Sequence, residues 1–195
     1  MLKIMKKFSP RFFTLIFIVS AFAVSCEPEN AVMQAEAIQE VNVVTPIDYN
    51  SLIGEWKVSK MESDTLVDLN GDGVWNTNIL AETDCFQNMG VTFNSDGTTT
   101  TTNAKLDFTL GPNGDEFGCI AGRTDAGTWS VENDELVMNL NIDGVVYTDR
   151  KQIVQTATTF SMDITKFESD QYVNDPGNSQ ASQIRILSVE YTKIN

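Results

Sequence analysis

The stretch GTWSVENDELVMNLNIDGVVYTDRKQIV, residues 127–154, indicates the fold of this chain. Apolar side chains recur at every second position from Leu136 to Ile142, which is the period of a strand with one buried face. The Asp143-Gly144 pair that follows is a strong signal for a two-residue hairpin turn. This part of the chain is therefore predicted to form consecutive antiparallel strands.

The same pattern continues on both sides of this stretch. Strands are predicted at residues 56–66, 89–93, 98–108, 127–131, 136–142, 145–154, 160–164 and 184–194. In the last of them the apolar phase changes near Ile186, which predicts a β-bulge. Eight strands joined mainly by tight turns favour an all-β, up-and-down antiparallel barrel, because pairing the first strand with the last removes the exposed edges. A two-sheet sandwich is the alternative.

The first strand opens with Gly54-Glu55-Trp56, which resembles the G-x-W opening of lipocalins. An Asn-Ser-Asp-Gly turn and a Gly-Thr-Trp strand follow in the expected order, and residues 51–195 as a whole resemble the lipocalin-like lipoprotein domains of Bacteroidota. The resemblance implies an eight-stranded lipocalin-like barrel in which Trp56 plugs one end and Arg185 of the last strand packs over it. An ordinary solvent-facing role for Arg185 is the alternative.

The N-terminus has the layout of a secretory signal. Four basic residues precede the apolar run at residues 12–19, and small residues then lead to Cys26. The segment Ala23-Val24-Ser25-Cys26 resembles a lipobox, which implies cleavage after Ser25 and lipid on the Cys26 thiol. Residues 1–25 are therefore predicted to be a lipoprotein signal peptide, and residues 26–50, which are acidic and hold two prolines, a lipidated tether. A plain signal peptide or an uncleaved anchor helix is the alternative.

The charge of the chain limits its partners. The first 25 residues hold four of the 13 basic residues and none of the 27 acidic ones, so the remaining chain has a formal charge of −18. Such a surface repels phosphate backbones and anionic lipid headgroups. We therefore expect no nucleic-acid partner and a membrane contact through the lipid alone, at the periplasmic face of an outer membrane or at the cell surface.

Two cysteines remain for the folded domain once Cys26 is lipidated. Export places Cys85 and Cys119 in an oxidising compartment, so a disulfide between them is predicted. A redox or metal-thiolate role has no support, because the chain has no C-x-x-C motif and no histidine.

The segment DLNGDGVWN, residues 68–76, has the oxygen spacing of EF-hand and dockerin calcium loops. The position of the closing acid is occupied by Ile79, so a slightly later residue, Glu82 or Asp84, would have to replace it. The candidate ligands are Asp68, Asn70, Asp72, the carbonyl of Val74, Asn76 and Glu82. A polar connection rich in turn residues is the alternative, because Asn-Gly and Asp-Gly favour turns for backbone reasons alone.

The residues that most hydrolytic mechanisms require are missing from the sequence. The chain has no histidine, no G-x-S-x-G elbow and no phosphate-binding loop, so we expect no enzymatic activity. Two functions remain: a tethered barrel that binds a small apolar or amphipathic ligand, or a packed structural module with a calcium-ordered loop that contacts envelope proteins or glycans. Fold class does not choose between them.

Overall fold

The computed structural model describes residues 46–109, 117–174 and 184–194. Its helices are α1 (Tyr49–Leu52) and α2 (Lys166–Tyr172), and one 3-10 turn spans Ile79–Ala81. The strands are β1 (Gly54–Val67), β2 (Asn76–Asn78), β3 (Gly90–Phe93), β4 (Thr98–Asp107), β5 (Gly118–Glu132), β6 (Glu135–Ile142), β7 (Val145–Lys151), β8 (Val154–Gln155), β9 (Thr159–Asp163), β10 (Val173–Asn174) and β11 (Ile186–Ile194). The predicted signal peptide, Cys26 and the tether up to residue 45 lie outside the described residues.

The strands form one curled sheet in the order β7-β6-β5-β4-β3-β1-β11-β9-β8. Neighbours along this path are antiparallel, while the short β2 pairs with β1 and the short β10 runs parallel to β4. Among the described residues, eight strands have four or more residues, and each of them overlaps one of the eight predicted from the sequence. The all-β, antiparallel class of the fold is therefore confirmed.

The first long strand pairs with the last, as the barrel prediction requires. The β1–β11 ladder runs from Glu55 opposite Ile194 to Ser63 opposite Ile186. Between Glu62 and Ser63 the register shifts by one residue and leaves Leu187 without an opposite partner. This irregularity is the β-bulge that the change of apolar phase predicts near Ile186.

Among the described strands, the hydrogen-bonded ring is open at one seam. The described part of β7 has a ladder to β6, and the described part of β9 has ladders to β11 and β8, but no ladder joins β7 to β9 or β8. Lys151, at the end of β7, spans the seam instead: its Nζ donates to the carbonyl oxygen of Asp163 at 3.2 Å and lies 2.5 Å from a carboxylate oxygen of Glu168. Since Glu168 belongs to α2, the ion pair joins β7 to this helix across the seam.

The interior of the barrel is packed with large apolar side chains. The segment from Ile79 to Met89 contributes several of them, because its apolar side chains pack on the core cluster while its other face is exposed. The largest fully buried side chains are those of Trp56, Phe86, Phe93, Phe108, Phe160, Leu52, Met61, Ile79, Met89, Leu106, Leu136 and Ile186. A small barrel filled in this way stabilises its fold through burial and leaves binding to its ends and rims.

Candidate functional site

One end of the barrel is closed around Trp56. The indole is 1% exposed, meets the ring of Phe160 edge-on at 4.9 Å, and donates from Nε1 to the carbonyl oxygen of Leu52 at 2.7 Å. Because Leu52 ends α1, this hydrogen bond fixes the short helix across the barrel end. The predicted role of Trp56 as the plug of this end agrees with its position.

The cation over Trp56 is Lys193, not Arg185. The Lys193 ammonium lies 5.2 Å from the centre of the Trp56 ring and donates to the carbonyl oxygen of Ser51 at 2.8 Å. Lys193 pairs with Trp56 across the β1–β11 ladder, whereas Arg185 precedes β11 and its side chain is exposed. The cation is therefore supplied by the end of the last strand, and the prediction for Arg185 was wrong because the register of that strand was unknown.

Gly54 has a structural reason to be glycine. Its φ is +134°, a backbone conformation that side-chain-bearing residues rarely adopt. A Cβ at this position would also lie 2.9 Å from the Cε of Lys193. The glycine of the G-x-W motif thus makes room for the lysine that covers the tryptophan.

Cys85 and Cys119 form the predicted disulfide, with 5.5 Å between their Cα atoms. Cys85 belongs to the buried segment inside the barrel, and Cys119 lies at the start of β5. The bond therefore ties the segment that fills the barrel to the wall around it.

Removing this disulfide is expected to lower the free energy of unfolding by about 3 to 4 kcal/mol, because the closed loop of 34 residues no longer restricts the unfolded chain. Urea unfolding of the Cys85→Ala/Cys119→Ala variant against the oxidised protein measures the loss. The free energy of unfolding of this variant should also be unaffected by reducing agent. An oxidised protein that is no more stable than the variant would contradict this account.

The loop at residues 68–76 is folded around its own polar groups. The Asp68 carboxylate accepts from the backbone N–H groups of Asp72 and Gly73 at 3.1 and 3.0 Å, and Asn70 Oδ1 also accepts from Asp72 at 3.0 Å. The carboxylate of Asp72 accepts in turn from the Val74 backbone at 2.7 Å. Three of the predicted calcium ligands therefore turn oxygens toward the loop backbone.

Glu82 closes the base of this loop. Its carboxylate is 2% exposed, accepts from the backbone of Leu69 at 3.2 Å and is hydrogen-bonded to the side-chain amide of Asn76. Within the described ranges, no group of three or more His, Cys, Asp and Glu side chains is arranged to hold a metal ion. The geometry thus shows an ordered acidic loop whose oxygens are engaged with N–H donors.

An apolar cleft of about 330 Å³ lies against the same loop. Its walls come from the end of β1, from the loop and from the residue that precedes Arg185. The lining residues are Thr65, Leu66, Val67, Asp68, Leu69, Trp75 and Ile184. Leu66 and Trp75 are 56% and 57% exposed, so the cleft presents apolar surface to solvent at the rim of the barrel.

A second group of polar side chains lies behind the open seam. In the β6–β7 ladder Lys151 pairs with the fully buried Leu136, so Lys151 and, by alternation, Asp149 and Tyr147 face the inside of the barrel. Burial opposes the charge of Glu168, but its hydrogen bonds with Lys151 and Thr165 hold its pKa below the ordinary value. Burial raises the pKa of Asp149.

The sequence analysis missed two features, one beside this seam and one at the Trp56 end of the barrel. Thr165 caps α2 and forms a reciprocal capping box with Glu168, a Thr-x-x-Glu signal that the sequence carries openly. Lys193 carried no signal of its own, because only the register across β11 places it over Trp56.

No helix among the described residues is long and apolar enough to cross a membrane. Neither the curated proteins nor the solved structures contain a match to the chain. The family model of the lipocalin-like domain matches residues 52–167, which is more than half of the 195 residues. The matched region begins at α1 and runs through the Trp56 plug, both long hairpins and β9. The chain therefore belongs to the lipocalin-like domain family.

Proposed function

We propose that this protein is a lipid-anchored envelope lipoprotein whose lipocalin-like barrel binds a small apolar or amphipathic ligand in the cleft beside residues 68–76. The role is binding without catalysis. The protein acts at the outer membrane, on its periplasmic face or at the cell surface, and the lipid on Cys26 supplies the membrane contact.

The observation that supports this function most directly is the cleft itself. Its volume of about 330 Å³ falls within the range of small-molecule sites, and five of its seven lining residues are apolar. Exposed tryptophan and leucine at a concave rim form the kind of apolar surface that soluble domains keep for binding. The packed core makes the rim a better location for a ligand than the centre of the barrel.

Dodecanol is a suitable probe for this cleft. Of the three tryptophans, Trp56 and Trp129 are buried and only Trp75 is exposed, so binding should shift the tryptophan emission to shorter wavelength. We expect saturable binding in the wild-type protein and at least about tenfold weaker binding in Leu66→Asp, because the alkyl chain would displace water from a carboxylate.

Val154→Asp is the matched control. It adds the same carboxylate at another exposed aliphatic position, on β8 and away from the cleft lining, and should bind dodecanol as the wild type does. Absence of saturable dodecanol binding, or an equal effect of the two substitutions, would contradict the proposed site.

The second candidate function is structural, with calcium ordering the loop that lines the cleft. The donor set is made of oxygens, as calcium requires, and Asp68, Asn70 and Asp72 already turn toward one another through shared N–H groups. Glu82, whose buried carboxylate is hydrogen-bonded to Asn76, is the candidate for the missing closing acid and would have to release that bond to reach the ion. These residues would hold the ion, and the ion would set the position of Trp75 at the cleft.

Millimolar calcium is expected to raise the melting temperature, because an ion that binds only the folded loop stabilises it by mass action. Magnesium should act much less, since it requires a smaller octahedral site. Asp72→Ala should abolish the shift without unfolding the domain. Sodium chloride at equal ionic strength controls for screening of the negative surface, and equal shifts with all three salts would show that the loop is only a turn.

A further inference from the structure

A polar groove of about 250 Å³ lies on the outer face of the sheet, where β1, β3 and β4 run side by side. Its floor is formed by the backbone around residues 56, 89 and 91, because the side chains at these positions are buried in the core. Its walls are polar side chains on the solvent side of the strands. They are Glu55, Lys57, Asn88, Thr92, Thr100 and Thr102. The groove is therefore separate from the cleft at residues 68–76 and from the barrel interior.

Gly90 of β3 keeps the middle of the groove open. It pairs with Lys57 on one side and with Thr102 on the other. A Cβ at this position would lie 2.5 Å from the backbone oxygen of Trp56, so the register admits only glycine here. The row therefore has no side chain at its centre, and Lys57 and Thr102 stand two strand spacings apart, about 10 Å. A gap of this width admits a small molecule.

Glu55 and Lys57 place opposite charges on one wall of the groove. Both side chains are exposed, and because they are two residues apart on β1 they share a face, with about 7 Å between them along the strand. The same strand carries a second acid and base at this spacing, Lys60 and Glu62, which form an ion pair with each other. The ion pairs among the described residues do not include Glu55 or Lys57. The groove thus presents a carboxylate and an ammonium side by side.

We propose that this groove binds a free α-amino acid as a zwitterion, with the ligand's ammonium at Glu55 and its carboxylate at Lys57. A zwitterion has no net charge, so the acidic chain, formally −14, does not repel it as it would repel a simple anion. A simple cation at Glu55 would be repelled by the neighbouring Lys57 ammonium. A ligand that carries both charges is therefore the one that both side chains favour, and it is a second ligand class for this protein.

The rest of the lining favours an amino acid with a polar side chain. Three hydroxyl groups, from Thr92, Thr100 and Thr102, line the groove together with the amide of Asn88. Hydroxyl and amide groups both donate and accept hydrogen bonds, so an amide side chain finds partners here. Among the described lining residues no aromatic ring is exposed for a sugar to stack on, because the indole of Trp56 is buried. Glutamine is therefore a suitable probe.

Titration of the isotope-labelled protein with glutamine, followed by NMR, tests the site. We expect the amide signals of Lys57, Gly90 and Thr102 to shift saturably, with a dissociation constant in the millimolar range, because exposed ion pairs are individually weak. N-acetylglutamine lacks the ammonium and glutaminamide lacks the carboxylate, so each should bind at least about threefold more weakly. Glucose, which is polar but uncharged, should also bind more weakly than glutamine.

Substitutions on β1 assign each charge to its partner. Glu55→Gln should remove the preference for glutamine over N-acetylglutamine, and Lys57→Gln should remove the preference for glutamine over glutaminamide. Glu62→Gln and Lys60→Gln are the matched controls, because they make the same two changes on the same strand outside the groove, and they should keep both preferences.

The site is disproved if glutamine gives no saturable shift, if glucose binds as tightly as glutamine, or if either Glu55→Gln or Lys57→Gln retains its preference. Dodecanol binding in the cleft at residues 68–76 does not depend on these results, so the two proposals are tested independently.

Discussion

Replacing Trp56 with alanine is expected to lower the free energy of unfolding by about 3 to 5 kcal/mol, the range for deletion of a buried aromatic side chain. The indole is 1% exposed and packs against Phe160. Its loss would also leave the Leu52 carbonyl without its donor and the Lys193 ammonium without its aromatic partner. Urea unfolding followed by circular dichroism measures the change.

Two further variants test whether the loss of stability comes from the position of Trp56 at the barrel end or from the removal of any tryptophan. Trp56→Phe should be destabilised less than Trp56→Ala, because it keeps most of the ring contact and loses the hydrogen bond. Trp75→Ala removes an exposed tryptophan and should change stability by no more than about 0.5 kcal/mol. Equal losses for Trp56→Ala and Trp75→Ala would show that Trp56 does not hold the barrel end.

Cys26→Ala is expected to abolish fatty-acid labelling and to leave an unprocessed precursor. The thiol is the proposed acylation site, and several acyl chains, each methylene contributing about 0.8 kcal/mol, are needed for stable anchoring. Metabolic labelling with a radioactive or alkyne-tagged fatty acid, followed by mass measurement of the product, gives both readings. The signal sequence should then remain uncut, which increases the mass of the product.

Ser25→Ala is the control. Because alanine is as small as serine beside the cleavage site, this variant should keep both the fatty-acid label and the membrane anchor. A Cys26→Ala protein that still carries fatty acid would refute the lipoprotein assignment. Protease treatment of intact cells carrying the wild-type protein then distinguishes the two proposed locations, since only a surface-exposed domain would be degraded.

The strands could be read from the sequence wherever one face is buried. Residues 136–142 alternate regularly, and the structure has β6 at Glu135–Ile142, with Asp143 and Gly144 both at positive φ in the turn that follows. The disulfide followed from cysteine number and the expectation of export, and the bulge near Ile186 from the apolar phase. In each case a local pattern carried the information.

What the sequence did not reveal depends on neighbours far along the chain. The first half of β5, from Gly118 to Arg123, is largely exposed on both faces, so it has no alternating apolar pattern to recognise. Arg185 was proposed as the cation over Trp56 from the family resemblance alone, because the register that places Lys193 there was not visible. The open seam likewise could not be predicted, because the position of α2 is set by the three-dimensional fold.

The seam bridged by Lys151 is expected to be the part of the barrel wall that opens most easily. Separating two paired strands breaks a whole row of backbone hydrogen bonds. Among the described residues, the polar contacts that cross the seam from β7 are the Lys151–Glu168 ion pair and the lysine's bond to the Asp163 carbonyl oxygen. We therefore expect opening motions of the domain to be concentrated at this line, so that the amide protons of β7 exchange with solvent before those of β1 and β11.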